Sequence, residues 1–313
     1  MDAHPSYDLN VLQDGQRMAQ LIRQHLGVPM MGLVRIGRGF YSEVYRVSLD
    51  GRPDCIVKGF KFPGYAAQER AQLELLARHA PLKLPAVYAV HEQAPDLPFE
   101  ALIMETIPGI NASQIAFPDA ATRERFADAL VDNLLAWHAV RHPAGFGPIE
   151  GPFHETWLDF LGARIGAYQQ AVHAPQHAGT VSAYVLRVID RSFERRAEIL
   201  AHCSAVASLI HGDYNLWNVM ADPDTFEVTG VIDPIDGGWG DPEIDLFHLP
   251  NCRPDVGVLE RYLDKVAVRQ GFALRYAFYR FWDDVKHYLR VGWYEEGRFR
   301  GYAETLEAEM DRL

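Results

Sequence analysis

The chain has 313 residues and a mass of 35.4 kDa, with 48% hydrophobic and 23% charged residues. That suffices for two cores at roughly 150 residues per domain and excludes a disordered or collagen-like chain. Lys and Arg number 30 against 42 Asp and Glu, so the net charge is −12, which repels phosphate backbones and argues against nucleic acid or an anionic membrane as partner.

In chain order, Val11, Leu12, Met18, Leu21, Ile22 and Leu26 predict an amphipathic helix over 10–26. Short β-branched or aromatic stretches at 33–36, 43–49 and 55–60, parted by Gly37, Gly39 and Asp50-Gly51, predict antiparallel strands. The Ala-, Leu- and Glu-rich run 65–79 predicts a helix ended by Pro81, with strands at 86–91 and 100–106. After Pro108-Gly109 the pattern turns helical at 122–139, 154–170 and 182–201. A Gly- and Asp-punctuated stretch spans 208–241 before Asp241-Pro242, which reads as an N-cap with proline at the first helical position of a helical end. There is no internal repeat. The chain therefore divides into 1–107 and 108–313. Residues 1–108 carry a charge of −1 and residues 109–313 one of −11, so the second part can present carboxylates to a cationic small molecule.

Cys55, Cys203 and Cys252 are odd in number and far apart, so neither a disulfide framework nor a zinc site is expected and a reducing cytoplasm fits. The opening MDAHPSYDLN lacks the basic start of a signal peptide, and no apolar run reaches membrane-spanning length.

The most informative stretch is LIHGDYNLWNVM followed by GVIDP. Phosphoryl transfer needs a carboxylate to take the attacking hydroxyl's proton, and an amide oxygen and a second carboxylate to hold Mg²⁺ against nucleotide phosphates. Asp213, Asn218 five residues on, and Asp233 at the end of the next strand have the residue types and spacing for those roles. The competing reading makes them turn caps and a loop support. Gly37, Gly39 and Ser42 lie between two predicted strands, where small residues let backbone amides cover phosphates, although a plain hairpin turn has the same composition. Lys58 in CIVKGF stands where an ammonium can grip non-reacting phosphates. Glu69, near the stripe of Leu73 and Leu76, is favoured over Glu74 as the carboxylate that holds it.

Together IGRGFYSEVYRV, IVKGF, QERAQLELL, LIMETIPG, LIHGDYNLWNVM and GVIDPIDGGWGDPEIDL resemble the aminoglycoside phosphotransferase, fructosamine kinase and choline kinase superfamily. The resemblance implies an α+β, two-lobed protein-kinase-like fold, with an antiparallel sheet and helix in the N-terminal lobe and a mainly helical C-terminal lobe. It also implies ATP and Mg²⁺, with adenine bonded to the backbone at Glu105 and Ile107 beside Met104. Pro234 after Asp233 is closer to the fructosamine kinase pattern than to the aromatic residue common in aminoglycoside phosphotransferases. Asp241 reads as a helix cap and Asp245 as support for the catalytic loop; His138 and His287 read as packing or surface residues and His211 as a loop-orienting one.

A protein kinase is disfavoured: no arginine precedes Asp213, no APE motif follows Asp233, and only eleven residues separate Asp233 from Asp245. HExxH, GxSxG and GxxxxGK[ST] are absent. The expected activity is transfer of the ATP γ-phosphoryl group to the hydroxyl of a small molecule, an aminoglycoside or other amino-sugar or ketosamine first, a neutral sugar, nucleoside or choline-like metabolite second. Asp283, Asp284, Glu295 and Glu296 are candidate amine contacts. A non-catalytic nucleotide-binding scaffold is the alternative of a different class.

Overall fold

Asp14 sets the first helix. In the computed structural model, which describes residues 6–313, its carboxylate accepts the Gln16 N–H at 2.9 Å, and α1 (Gly15–Leu26) runs on to Gly27, which closes it at φ 68°. Residues 1–5, where the absence of a signal peptide was read, lie outside the described residues. The single helix expected over 10–26 is two pieces, since Leu9–Gln13 is a separate 3-10 turn capped by Asp8. An aspartate side chain competes for backbone N–H groups and so starts a helix better than it continues one.

The strands β1 (Met30–Arg38), β2 (Ser42–Leu49) and β3 (Arg52–Phe60) are followed by α2 (Tyr65–His79), β4 (Val87–His91) and β5 (Glu100–Glu105). They form one sheet of order β1-β2-β3-β5-β4, antiparallel throughout. Period two sorts its faces: Tyr45, Val47, Cys55, Val57, Ala101 and Ile103 share a core with Met18, Leu21 and Ile22 of α1. Lys58, one residue out of that phase, points to the opposite face, where α2 buries Glu69, Gln72, Leu73 and Leu76. A side chain at Gly59 would start 2.2 Å from Leu12 Cδ1, so any larger residue immediately after the lysine would have to displace the buried Leu12 side chain.

The short β6 (Ile110–Asn111) precedes α3 (Ala120–Ala139), whose cap Asp119 accepts the Thr122 N–H at 2.7 Å. Next come β7 (Arg141–His142), α4 (Trp157–Val172) capped by Thr156, and α5 (Ala183–Glu194) capped by Ser182. The helix expected over 182–201 stops at Arg195 before one further turn, α6 (Arg196–Ile199). Arg195 leaves helical geometry while its guanidinium donates to the Met310 carbonyl at 2.7 Å and to Glu198. The chain continues through β8 (Ala207–Ile210), β9 (Val219–Ala221), β10 (Val228–Val231), β11 (Gly238–Gly240), α7 (Val258–Lys265), α8 (Phe272–Val291) and α9 (Glu296–Met310). Asp241 caps the 3-10 turn Pro242–Asp245. Two three-stranded sheets have orders β10-β9-β6 and β11-β8-β7.

The chain forms two compact units. One runs up to Ala116 and takes in Asn218–Ile235; the other comprises Phe117–Trp217 and Asp236–Leu313. Among the described residues no helix is long and apolar enough to cross a membrane, and the three cysteines are free.

Candidate active site

In the first unit Lys58 lies between two carboxylates. Its Nζ donates to both Glu69 oxygens, at 2.9 and 2.7 Å, and to Asp233 Oδ1 at 2.8 Å. Lys58 and Glu69 are buried, whereas the Asp233 side chain is 36% exposed, so the trio opens on the aspartate side. Burial favours the neutral amine, but Asp233 and Glu69 outweigh it and hold the Lys58 pKa above its ordinary value. With two carboxylates facing one ammonium, Lys58 stays charged; burial pushes the Glu69 carboxyl up. Glu74 instead pairs with Arg70 on the outer face of α2, at 2.8 Å.

Asp233 is reached through the β9–β10 ladder. Val219 pairs with Val231, and the Asn218 carbonyl accepts the Ile232 N–H at 2.9 Å, so Asn218 and Asp233 leave the same end of that ladder. Asp233 adopts φ 61°, a left-handed conformation that aspartate enters more readily than most residues. A carboxylate and an amide oxygen are hard donors of the kind Mg²⁺ takes, one or two from the protein and the remainder from phosphates and water. Among the described residues there is no group of three or more His, Cys, Asp or Glu that could hold a metal ion.

Gly37 and Ser42 belong to β1 and β2, and Gly39 sits in the connecting turn with its N–H bonded to the Ser42 carbonyl at 2.9 Å. Lys61 Nζ holds that turn through the Gly39 and Phe40 carbonyls, both at 2.9 Å. A Cβ at Gly37 would come no closer than 3.5 Å to Val44, and one at Gly39 no closer than 3.7 Å to Ser42. Neither glycine is demanded by packing, so what they provide is open backbone. Met104 and Ile107 are buried. The Glu105 N–H is already given to the Ala86 carbonyl at 2.8 Å, so an adenine contact at this residue would fall to its carbonyl.

The second unit contains Asp213. Gly212 before it has φ 81°, and a Cβ there would lie 2.3 Å from the Asp236 carbonyl carbon, so the HGD glycine is fixed by both conformation and space. Asp245 supports the loop from beneath, its carboxylate accepting the His211 and Gly212 N–H groups at 3.0 and 2.7 Å. Burial would raise the Asp245 pKa, yet His138 and His211 hold it below the ordinary carboxylate range. His138, bonded to Asp245 at 3.1 Å and to the Tyr262 hydroxyl at 2.9 Å, is a buried packing residue, and His211 orients the loop by accepting the Asp213 N–H on Nδ1 at 3.3 Å. Asp213 Oδ1 accepts from Asn215 Nδ2 at 2.6 Å and lies 3.2 Å from His248 Nδ1.

Asn215 and His248 were not anticipated from the sequence; the only signal for His248 is its place three residues after Asp245. Asp236 is buried among Arg164, Lys286 and Arg290. The four acids considered as amine contacts are engaged within the second unit. Asp283 binds Lys286 and His287, and Asp284 takes Arg298 through two bonds, at 2.8 and 2.9 Å. Glu295 caps α9, and Glu296 accepts the Tyr294 hydroxyl.

The antiparallel N-terminal sheet, the helical C-terminal part and a lysine held by a helix carboxylate define a kinase-like α+β protein. Residues 32–282 match the model of the APH family, described as the phosphotransferase enzyme family, and the chain belongs to that family. It is 23% identical over 256 residues to the uncharacterized protein YcbJ of Escherichia coli (strain K12), covering 80% of this chain and 84% of that protein. Among solved structures it resembles a candidate fructosamine-3-kinase from Thermobifida fusca YX-ER1, with a TM-score of 0.67, 21% identity, and 94% and 98% of the two chains covered. It also resembles aminoglycoside 2'-phosphotransferase-IIIa in its GDP complex, with a TM-score of 0.65, 17% identity, and coverage of 96% and 99%. For macrolide 2'-phosphotransferase type I the TM-score is 0.62 at 16% identity, with coverage of 96% and 97%.

Proposed function

We propose that the protein transfers the γ-phosphoryl group of ATP to a hydroxyl of a small molecule. The observation that carries this reading is the buried Lys58 clamped by Glu69 and Asp233, with Asn218 delivered to the same ladder end as Asp233. Lys58 binds the non-reacting phosphates and Glu69 fixes its position. The backbone at Gly37, Gly39 and Ser42 covers the phosphates, and Met104, Glu105 and Ile107 receive the base. Asn218 and Asp233 would hold Mg²⁺, which when bound neutralises charge developing on the phosphates.

Asp213 accepts the proton of the acceptor hydroxyl as its oxygen forms the new bond to the γ-phosphorus; the bond to the β–γ bridging oxygen breaks and ADP departs. Asn215, donating to Oδ1, holds the carboxylate in one orientation, with His248 beside it. Kanamycin and streptomycin, each found in a complex of a structurally similar phosphotransferase, support a small hydroxyl compound, and the amino-sugar form of that reading rests on them and on the −11 charge of residues 109–313.

Asp213→Ala tests the assignment. Because the residue acts on the acceptor proton, affinity for MgATP should stay within about threefold while turnover falls by a factor on the order of 10² to 10⁴; undiminished turnover would remove Asp213 from the mechanism.

A further inference from the structure

In the second unit three cationic side chains converge on one aspartate whose main chain lies against the loop that carries Asp213. Arg164 on α4 and Lys286 and Arg290, one turn apart on α8, meet at Asp236, with Lys286 Nζ at 2.7 Å, Arg164 Nη2 at 3.2 Å and Arg290 Nη1 at 3.7 Å. Lys286 also contacts Asp283 at 2.5 Å, and Arg290 donates to the Tyr168 hydroxyl at 3.2 Å. The cluster belongs to the catalytic-loop wall. The Asp236 main chain lies against Gly212, and His248, 3.2 Å from Asp213, feels the charges of Asp283, Lys286 and Asp236.

Two features distinguish this cluster from a simple helix clamp. One ion pair would satisfy Asp236, yet Arg164, Arg290 and Lys286 all reach it, and with Lys286 shared with Asp283 the three cations face two carboxylates. The Arg164 and Arg290 side chains are 32% and 26% exposed, against 15% for the carboxylate they share, so part of each arginine reaches the surface beside Asp236. Tyr168 reports the resulting potential. Burial alone would raise its phenol pKa, but Arg164 and Arg290 draw it below the ordinary value even with Asp236 nearby.

We propose that Arg164 and Arg290, backed by Lys286, bind an oxyanion on the acceptor, either a carboxylate or a phosphate ester, so that the phosphorylated compound is a hydroxyl compound carrying a negative group. A guanidinium offers two parallel N–H donors to either group. The proposal rests on the reading of Asp213 as the base, and it replaces the amino-sugar acceptor that bulk charge favours with an acidic one.

Two measurements test it. In the first, melting temperatures of wild type, Arg164→Gln, Arg290→Gln and Arg164→Lys are followed against sulfate and citrate at constant ionic strength, with MgADP saturating. Wild type should gain stability, each glutamine variant should lose at least half of the gain, and Arg164→Lys should keep part of it. Equal gains in all four proteins overturn the proposal, whether or not any acceptor is turned over.

In the second, ADP release is compared for D-glucuronate against D-glucose, glycerol 3-phosphate against glycerol, and kanamycin. A tenfold or greater preference for the charged member of a pair, with Arg164→Gln losing at least tenfold more kcat/KM on it than on its neutral counterpart, supports the proposal, and the responding pair separates carboxylate from phosphate. Turnover of kanamycin or a neutral compound alone, with kcat/KM unaffected by Arg164→Gln, overturns it. Failure of the phosphotransferase reading has a different signature: no Mg²⁺-dependent ATP binding, whatever the sulfate result.

Discussion

At the scale of single residues, the loop carrying Asp213 is held by groups whose roles are separable. Gly212 cannot accept a side chain, since φ 81° is unfavourable for one and its Cβ would enter the Asp236 backbone. Gly212→Ala should cost at least about 2 kcal/mol of stability, and a melting temperature within 2 °C of wild type would contradict that. His248 gives a pH signature. Burial lowers its pKa from 6.5 to about 4, against Asp283, Asp245 and Asp236, which favour the proton, and with Lys286, which opposes it. Because the folded value lies below the unfolded one, its contribution is complete above about pH 6.5 and is lost as pH falls toward 4, by up to roughly 3 kcal/mol. Compared with His248→Asn, wild type should therefore lose ground in melting temperature between pH 7.5 and 4.5; parallel curves would refute the assignment. Residue type and spacing marked Asp213, Asn218, Asp233 and Lys58 as candidates, and the structure brings Lys58 and Asp233 together. His248 and the cations around Asp236 could not be marked that way, because they meet across the fold from α4, α8 and the turn after Asp245, with no fixed sequence separation to betray them.

At the scale of elements, the choice between Glu69 and Glu74 on α2 shows what periodicity can decide. Glu69 shares the buried stripe of Leu73 and Leu76 and reaches Lys58, whereas Glu74 forms an exposed pair with Arg70 four residues away. Glu69→Gln should lower kcat/KM for ATP at least tenfold, while Glu74→Gln should alter stability by no more than about 0.5 kcal/mol and leave activity unchanged. Equal effects would dissolve the distinction. Helices with a strong apolar stripe and a clear stop, such as α2 before Pro81, were legible to the residue. The breaks at Asp14 and Arg195 were not, since each depends on where one side chain finds its hydrogen bond. Nor was β11, because Gly238–Gly240 has no strand-like composition and is paired through the distant β8 and a bridge to Gly147.

At the scale of the whole molecule, Asn218–Ile235 joins the first unit although it lies more than a hundred residues after Ala116. That return puts Asp233 on Lys58, and nothing in local pattern announces it; the HGD and IDP blocks pointed to it only through the chemistry they share. If Asp233 holds the divalent ion, MgATP at a hundred times its Kd should stabilise the protein by about 2.7 kcal/mol, and the same ATP concentration with EDTA should stabilise it by less. Asp233→Asn should abolish that metal-dependent part, and an unchanged increment would place the metal elsewhere. The net charge of −12 describes the surface and disfavours polyanionic partners, but it does not describe the neighbourhood of Asp236, where cations gather.

The most direct test is phosphorus NMR of the wild-type protein with MgATP and a mixture of hydroxyl compounds spanning acidic, neutral and amine-bearing members. Formation of a phosphate monoester at the expense of the γ-phosphorus signal, present with Mg²⁺, absent with EDTA and lost in Asp213→Ala, is the predicted result. A monoester formed at the wild-type rate by Asp213→Ala, or no monoester from any class of hydroxyl compound, would contradict it.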